Sequence, residues 1–163
     1  MSTKVTVNQS KSVKVIGLIT VIVGVIMFIA GAFAYGLVGS YLKDEKITVS
    51  SDASWLADKE VAGPFTAFSQ ADIINKHALD ATGGKTYAEL PREDPLRDTA
   101  MSASFLRASL FTSVVSFGVA ALVMAVGVLF GLVGWALVKV SGGPSVVTES
   151  TAPAPMQPGP EQV

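Results

Sequence analysis

The chain has 163 residues, of which 50% are hydrophobic and 15% charged, and its formal net charge is -1. That length suits one small domain or a few membrane spans, and the charged share is low for a soluble domain. The lack of cysteine excludes disulfides, thiolate metal sites and thiol nucleophiles, and the near-neutral balance offers no basic footprint for nucleic acid.

The charges are unevenly spread. None falls within residues 15–42 or 108–138, and each run exceeds the ~20 apolar residues needed to cross the hydrocarbon core of a bilayer. The expected fold is an all-α membrane protein: a two-helix transmembrane hairpin with a helical extracytoplasmic cap and a disordered C-terminal tail. Its divisions are a cytoplasmic arm (1–14), a first span (15–42), the cap (43–107), a second span (108–140) and a cytoplasmic tail (141–163).

The arm carries Lys4, Lys11 and Lys14 and no acid. Positive charge next to a span end stays on the cytoplasmic side, so both termini are expected inside and the cap outside. The lysines, the apolar stretch and Ala32-Phe33-Ala34 also resemble a signal peptide with a small-residue cleavage site. Apolar residues continuing to Leu42 favour an uncut span.

On the first span Gly17, Gly24 and Gly31 repeat every seven residues. Small residues on one face let two helix backbones approach closely, and Gly36 and Gly39 extend the set. Tyr35 and Tyr41 fit the outer interface, as Trp135 on the second span fits the inner one.

The cap holds eight basic and eleven acidic residues. Ile47-Thr48-Val49 reads as a short extended piece. Residues 51–61, with Trp55 and Leu56, read as a short helix ended by Gly63-Pro64. Residues 66–81 read as a second helix with Phe68, Ala71, Ile74 and Ala78 on one face, closed by Gly83-Gly84 as a C-cap.

The string "GGKT" (83–86) looks like the end of a phosphate-binding loop. The pattern G-x-x-x-x-G-K-[ST] requires glycine at position 79 and a preceding strand. Position 79 is Leu79 and the preceding residues read as helix, so two glycines ending a helix explain the string. His77 is the one histidine. A facial-triad iron site needs two histidines and a catalytic zinc usually three ligands, so no metal or cofactor is expected. His77 is read as a surface residue within helical reach of Asp80. The acids of the cap alternate with Lys76, Lys85, Arg92 and Arg97 as on a solvated face, and no catalytic pair stands out.

Asp94-Pro95 is the clearest helix start: aspartate caps free N–H groups and proline takes the first position. One continuous helix is expected from Pro95 to about Val140, roughly 65–70 Å long at 1.5 Å per residue. Its first turns stand clear of the bilayer as a stalk for the cap. Its lower part carries Gly127-x-x-x-Gly131 and Gly134, and its outer half a stripe of Ser109, Ser113 and Ser116. The spans lack Asp, Glu, Lys, Arg and His, which ion and proton pathways normally need. The tail holds five of the eight prolines and too few apolar residues for a core.

Two stretches, "GPFTAFSQADIINKHALDATGGKTYAEL" and "MSASFLRASLFTSVVSFGVAALVMAVGVLFGLVGWAL", resemble a family of small two-span actinobacterial membrane proteins of unestablished activity. Members are often labelled aromatic ring-opening dioxygenase, which one histidine and no cysteine do not support. The resemblance covers residues 47–137 and implies a small accessory subunit of a respiratory assembly, such as the joined cytochrome bc and aa3 oxidase complex.

The expected function is therefore a non-catalytic accessory or structural subunit. It would bind other integral membrane subunits through Gly17, Gly24, Gly31, Gly127, Gly131, Gly134 and the serine stripe, with a second copy of the chain among the partners such faces admit. Trp55, Phe65, Phe68, Ile74 and His77 form the expected partner surface of the cap. The alternative is a membrane-anchored sensor whose cap binds a lipid, small molecule or envelope component.

Overall fold

The computed structural model describes residues 3–6, 11–141 and 147–150. The order of elements is β1 (Thr3–Thr6), α1 (Lys11–Asp44), α2 (Pro64–Ala81), α3 (Leu96–Ser141) and β2 (Val147–Ser150). The fold is helical apart from β1 and β2. These pair antiparallel, with Thr3 opposite Ser150 and Thr6 opposite Val147. Residues 147–150, part of the tail whose composition suggests disorder, form β2 in this pairing. The rest of the tail expectation lies outside the described residues.

α1 and α3 are both long and apolar enough to cross a membrane. They pack side by side and antiparallel along most of the length of α1, while α2 packs on α3. In α1 the buried residues are Gly17, Gly24, Gly31 and Leu42 alone. Every large apolar side chain of that helix except Leu42 lies at least partly outward.

α3 starts as the sequence predicts. The Asp94 carboxylate accepts the Leu96 N–H at 2.9 Å, satisfying one of the free donors of the first turn. At 46 residues the helix is roughly 69 Å long. Its upper part carries a buried row, Ala100, Leu110 and Phe117, against which the connecting segment packs.

The connecting segment differs from expectation in one place. Residues 51–61 are not helical. Val49 N–H bonds to Lys59 C=O at 2.9 Å and Val61 N–H to Ile47 C=O at 2.8 Å, with Thr48 bridged to Glu60. The extended piece at Ile47-Thr48-Val49 therefore turns back on itself. Leu56 and Asp58 at the tip take positive φ, 54° and 58°, which a right-handed helix forbids. Gly63-Pro64 accordingly does not end a helix but begins α2, with proline in the first turn, where its missing N–H costs nothing. The Thr66 hydroxyl accepts the Ala62 and Gly63 N–H groups at 3.1 and 3.2 Å and so fixes that start.

α2 ends at the glycines read from the sequence. Gly83 and Gly84 have φ of 63° and 83°, and Gly84 N–H bonds to Leu79 C=O at 2.7 Å. That six-to-one bond is a Schellman ending, which needs a left-handed residue that glycine supplies without strain. Thr86 donates both its N–H and its hydroxyl to Glu89, each at 2.8 Å. Val49, Val61, Ala67 and Ala71 from this segment bury together with Leu42, Leu110 and Phe117, joining it to the upper ends of α1 and α3.

Candidate functional site

The seam between α1 and α3 is built from glycine. A Cβ on Gly24 would lie 2.5 Å from the Gly127 carbonyl oxygen and 2.7 Å from the Gly131 nitrogen. One on Gly17 would lie 2.9 Å from Gly134 O, and one on Gly31 2.8 Å from Ala120 O. The reverse contacts are as tight: 2.7 Å from Gly127 to Gly24 O and 2.6 Å from Gly134 to Gly17 O. The seven-residue repeat of α1 thus meets Ala120, Gly127 and Gly134, themselves seven apart. At Gly17, Gly24, Gly31, Gly127 and Gly134 a larger residue would force the backbones apart.

The two glycines of G-x-x-x-G part company here. Gly127 faces the seam, whereas a Cβ on Gly131 would meet nothing within 4 Å, and the same holds for Gly36 and Gly118. Gly131 contributes its backbone to the seam but leaves its open side outward. Gly39 turns toward the connecting segment, with Ala62 O 3.2 Å from its Cβ position.

Above Gly31 the two helices enclose a groove. Its upper part has a volume of about 590 Å³ and is walled by Glu45, Gln70, Ile74, Ser109, Ser113 and Ser116 among others. A lower part of about 440 Å³, walled by Ala30, Ala34, Val119 and Val123, shares Val38 and Ser116 with it. All three residues of the serine stripe therefore line a cavity. The hydroxyls of Ser113, Ser116 and neighbouring Thr112 donate to the carbonyls of Ser109, Thr112 and Ala108 at 3.3, 2.8 and 2.9 Å. Their protons are spent within the helix, and their lone pairs remain to accept.

The expected partner surface of the cap divides. Phe68 stacks edge-on against Phe111 of α3, centroids 5.7 Å apart, and lies 6.1 Å from Trp55. Phe65 is 71% exposed. Ile74 packs on the buried cluster and lines the upper groove. The partner of His77 is Asp52, at 2.6 Å, rather than Asp80, because the loop tip folds back over α2. That hydrogen bond is the main cause holding the Asp52 carboxyl below its ordinary value. Glu89 is lowered too, by the N–H and then the hydroxyl of Thr86.

Two polar residues invisible to pattern reading fasten the loop. The buried Ser69 hydroxyl donates to Trp55 C=O at 2.6 Å, and Gln70 Oε1 accepts Ser50 N–H at 3.0 Å. With His77 they hold one side of the loop by hydrogen bonds while Val49 and Val61 bury the other. Their partners lie 14 to 25 residues away, so no local spacing marks them. Among the described residues no three His, Cys, Asp or Glu side chains gather where they could hold a metal ion.

Fold and site together describe a mainly helical chain with two helices able to span a membrane and a groove beside their seam. Comparison with protein-family models, curated proteins and solved structures gave no match.

Proposed function

We propose that the chain is a two-span membrane protein with both termini cytoplasmic and residues 43–107 outside, acting as a non-catalytic accessory subunit that binds other integral membrane proteins. Bilayer placement is supported by the outward faces of α1 and α3. Ile16, Ile26, Ile29, Leu122 and Leu129 are each more than half exposed, a continuous apolar surface far larger than soluble proteins tolerate. Orientation is supported by Lys11 and Lys14 at the start of α1 and Lys139 at the end of α3.

The observation that carries the subunit reading sits on the stalk. Met101 and Phe105, one helical turn apart, are 51% and 73% exposed. They lie above the uncharged run of α3 and stay at least half exposed among the described residues. With the exposed Leu106 beside them, they form a small apolar patch that supports contact with another protein. The open sides of Gly118 and Gly131 offer helix approaches within the bilayer. The joined cytochrome bc and aa3 assembly, which the sequence resemblance suggests, is the first partner set to look for.

The test is a pull-down of the tagged chain from native membranes in mild detergent, with quantitative mass spectrometry. A fixed set of membrane subunits at constant ratio is expected, and Met101→Glu with Phe105→Glu should release it. A chain that purifies alone, or only with copies of itself, overturns the reading. The alternative of a binding module is favoured by the groove.

A further inference from the structure

We infer that the groove between α1 and α3 is a binding site for a phospholipid with a primary ammonium headgroup, head in the upper part and one acyl chain in the lower. This rests on the membrane placement proposed above and is independent of the subunit reading.

Depth is the first argument. Residues 15–42 would span roughly 42 Å as helix, against a hydrocarbon core of about 30 Å. The connecting segment fixes which end is in excess. Ala62 O approaches to 3.2 Å from the Cβ position of Gly39, and irregular backbone is not exposed to lipid within the hydrocarbon. The core therefore ends near Gly39, level with Phe117. The lower groove, from Ala30 to Val38, lies at acyl depth and carries no charge. The upper groove, reaching Glu45 and Gln70, lies among headgroups. From Ala30 to Glu45 is roughly 22 Å of helix, the scale of one lipid chain with its head.

Charge is the second. Glu45 is the one charged side chain on the upper wall. Thr112, Ser113 and Ser116 have given their protons to helix carbonyls and present acceptors. A wall with one carboxylate and no cation disfavours an anionic headgroup, while the Gln70 amide nitrogen and the Tyr41 and Ser109 hydroxyls leave donors for the phosphate of a zwitterionic lipid. The carboxylate and its neighbouring acceptors match a group that is both positive and able to donate hydrogen bonds. A primary ammonium is both; a choline ammonium has no N–H to give.

The experiment reconstitutes the full chain in nanodiscs of ethanolamine, choline and glycerol phospholipids in equal parts with identical acyl chains. The chain is then released into mild detergent for native mass spectrometry. One ethanolamine lipid per chain should be retained in preference to the other two. Glu45→Gln should reduce that preference about tenfold, as loss of a charge-assisted hydrogen bond implies. Ser116→Phe, at the junction of the two parts, should abolish retention while circular dichroism shows unchanged helix content. Equal retention of all three lipids, preference for choline or glycerol lipid, a bare chain, or a second copy in place of lipid each overturns the inference. Recovery of the chain outside the discs overturns the membrane placement as well, a readout separate from lipid preference.

Discussion

Single side chains decide how the connecting segment is held. Arg97 donates to Leu90 C=O at 2.6 Å and to Tyr87 C=O at 3.3 Å, and its guanidinium lies 4.0 Å over the Tyr87 ring. One planar group thus pins the turn that buries Leu90. Lysine keeps the charge but cannot lay a planar group over the Tyr87 ring, so Arg97→Lys should cost about 1 kcal/mol and speed amide exchange around Leu90. Unchanged exchange would show that burial of Leu90 alone holds the turn. Asp52 gives a prediction in pH. Its folded carboxyl titrates below the ordinary value because His77 donates to it. A depressed acid contributes stability that is complete above the ordinary carboxylate range and is lost as pH falls through the lowered value. NMR titration should find the Asp52 carboxyl still ionised where a free aspartate is half protonated, and His77→Ala should restore the ordinary value. A third position is strained. Lys46 has φ of 53° just beyond α1, where a Cβ is unfavourable. Lys46→Gly should raise stability by up to about 1 kcal/mol. A fall in melting temperature would mean that the lysine side chain contributes a contact outweighing the relief.

At the scale of elements, the seam separates glycines that look alike in sequence. Gly24, Gly127 and Gly131 all belong to small-residue repeats, yet only the first two point into the contact. Gly24→Ala forces its methyl to within 2.5 Å of Gly127 O, and backbone on both sides cannot give way as a side chain would. The helices must separate, at a cost of about 1–3 kcal/mol. Gly131→Ala meets open space and gains helix propensity. Thermal unfolding in detergent should therefore rank Gly24→Ala well below wild type and Gly131→Ala at or above it. The reverse order would place the seam on the other face of α3. Spacing in the sequence does show which residues are small, and the seven-residue period of α1 singles out its face. The face of α3 is not legible, because Gly118, Gly127, Gly131 and Gly134 point in several directions. Helix starts at Asp94 and stops at Gly83-Gly84 are legible because they depend on neighbours within a turn. The loop at 51–61 is not. Trp55 and Leu56 carry a helical look, but Ser69, Gln70 and His77 bind the segment from a distance, and cross-chain bonds at Val49 and Val61 outweigh its local preference. The groove is illegible for the same reason: Glu45 and Gln70 come together only through packing.

For the whole molecule, the governing fact is that α3 outruns α1. With 46 and 34 residues, the helices differ by roughly 18 Å, and the contact of Gly17 with Gly134 sets the start of α1 beside the end of α3. The excess therefore lies at the opposite end, where α2 and the loop cover one side of it. In a bilayer this makes one short side and one tall side, and the orientation proposed above puts the short side in the cytoplasm. The lack of native cysteine makes this directly testable with introduced thiols. Lys85→Cys, at the exposed end of α2, should react with a membrane-impermeant maleimide in intact cells. Thr148→Cys should react only after lysis. Labelling of Thr148→Cys alone would invert the topology and put the ammonium-lipid groove in the inner leaflet. Labelling of both in intact cells would mean that the chain does not cross the bilayer twice, and the outward apolar faces of α1 and α3 would then need covering by protein.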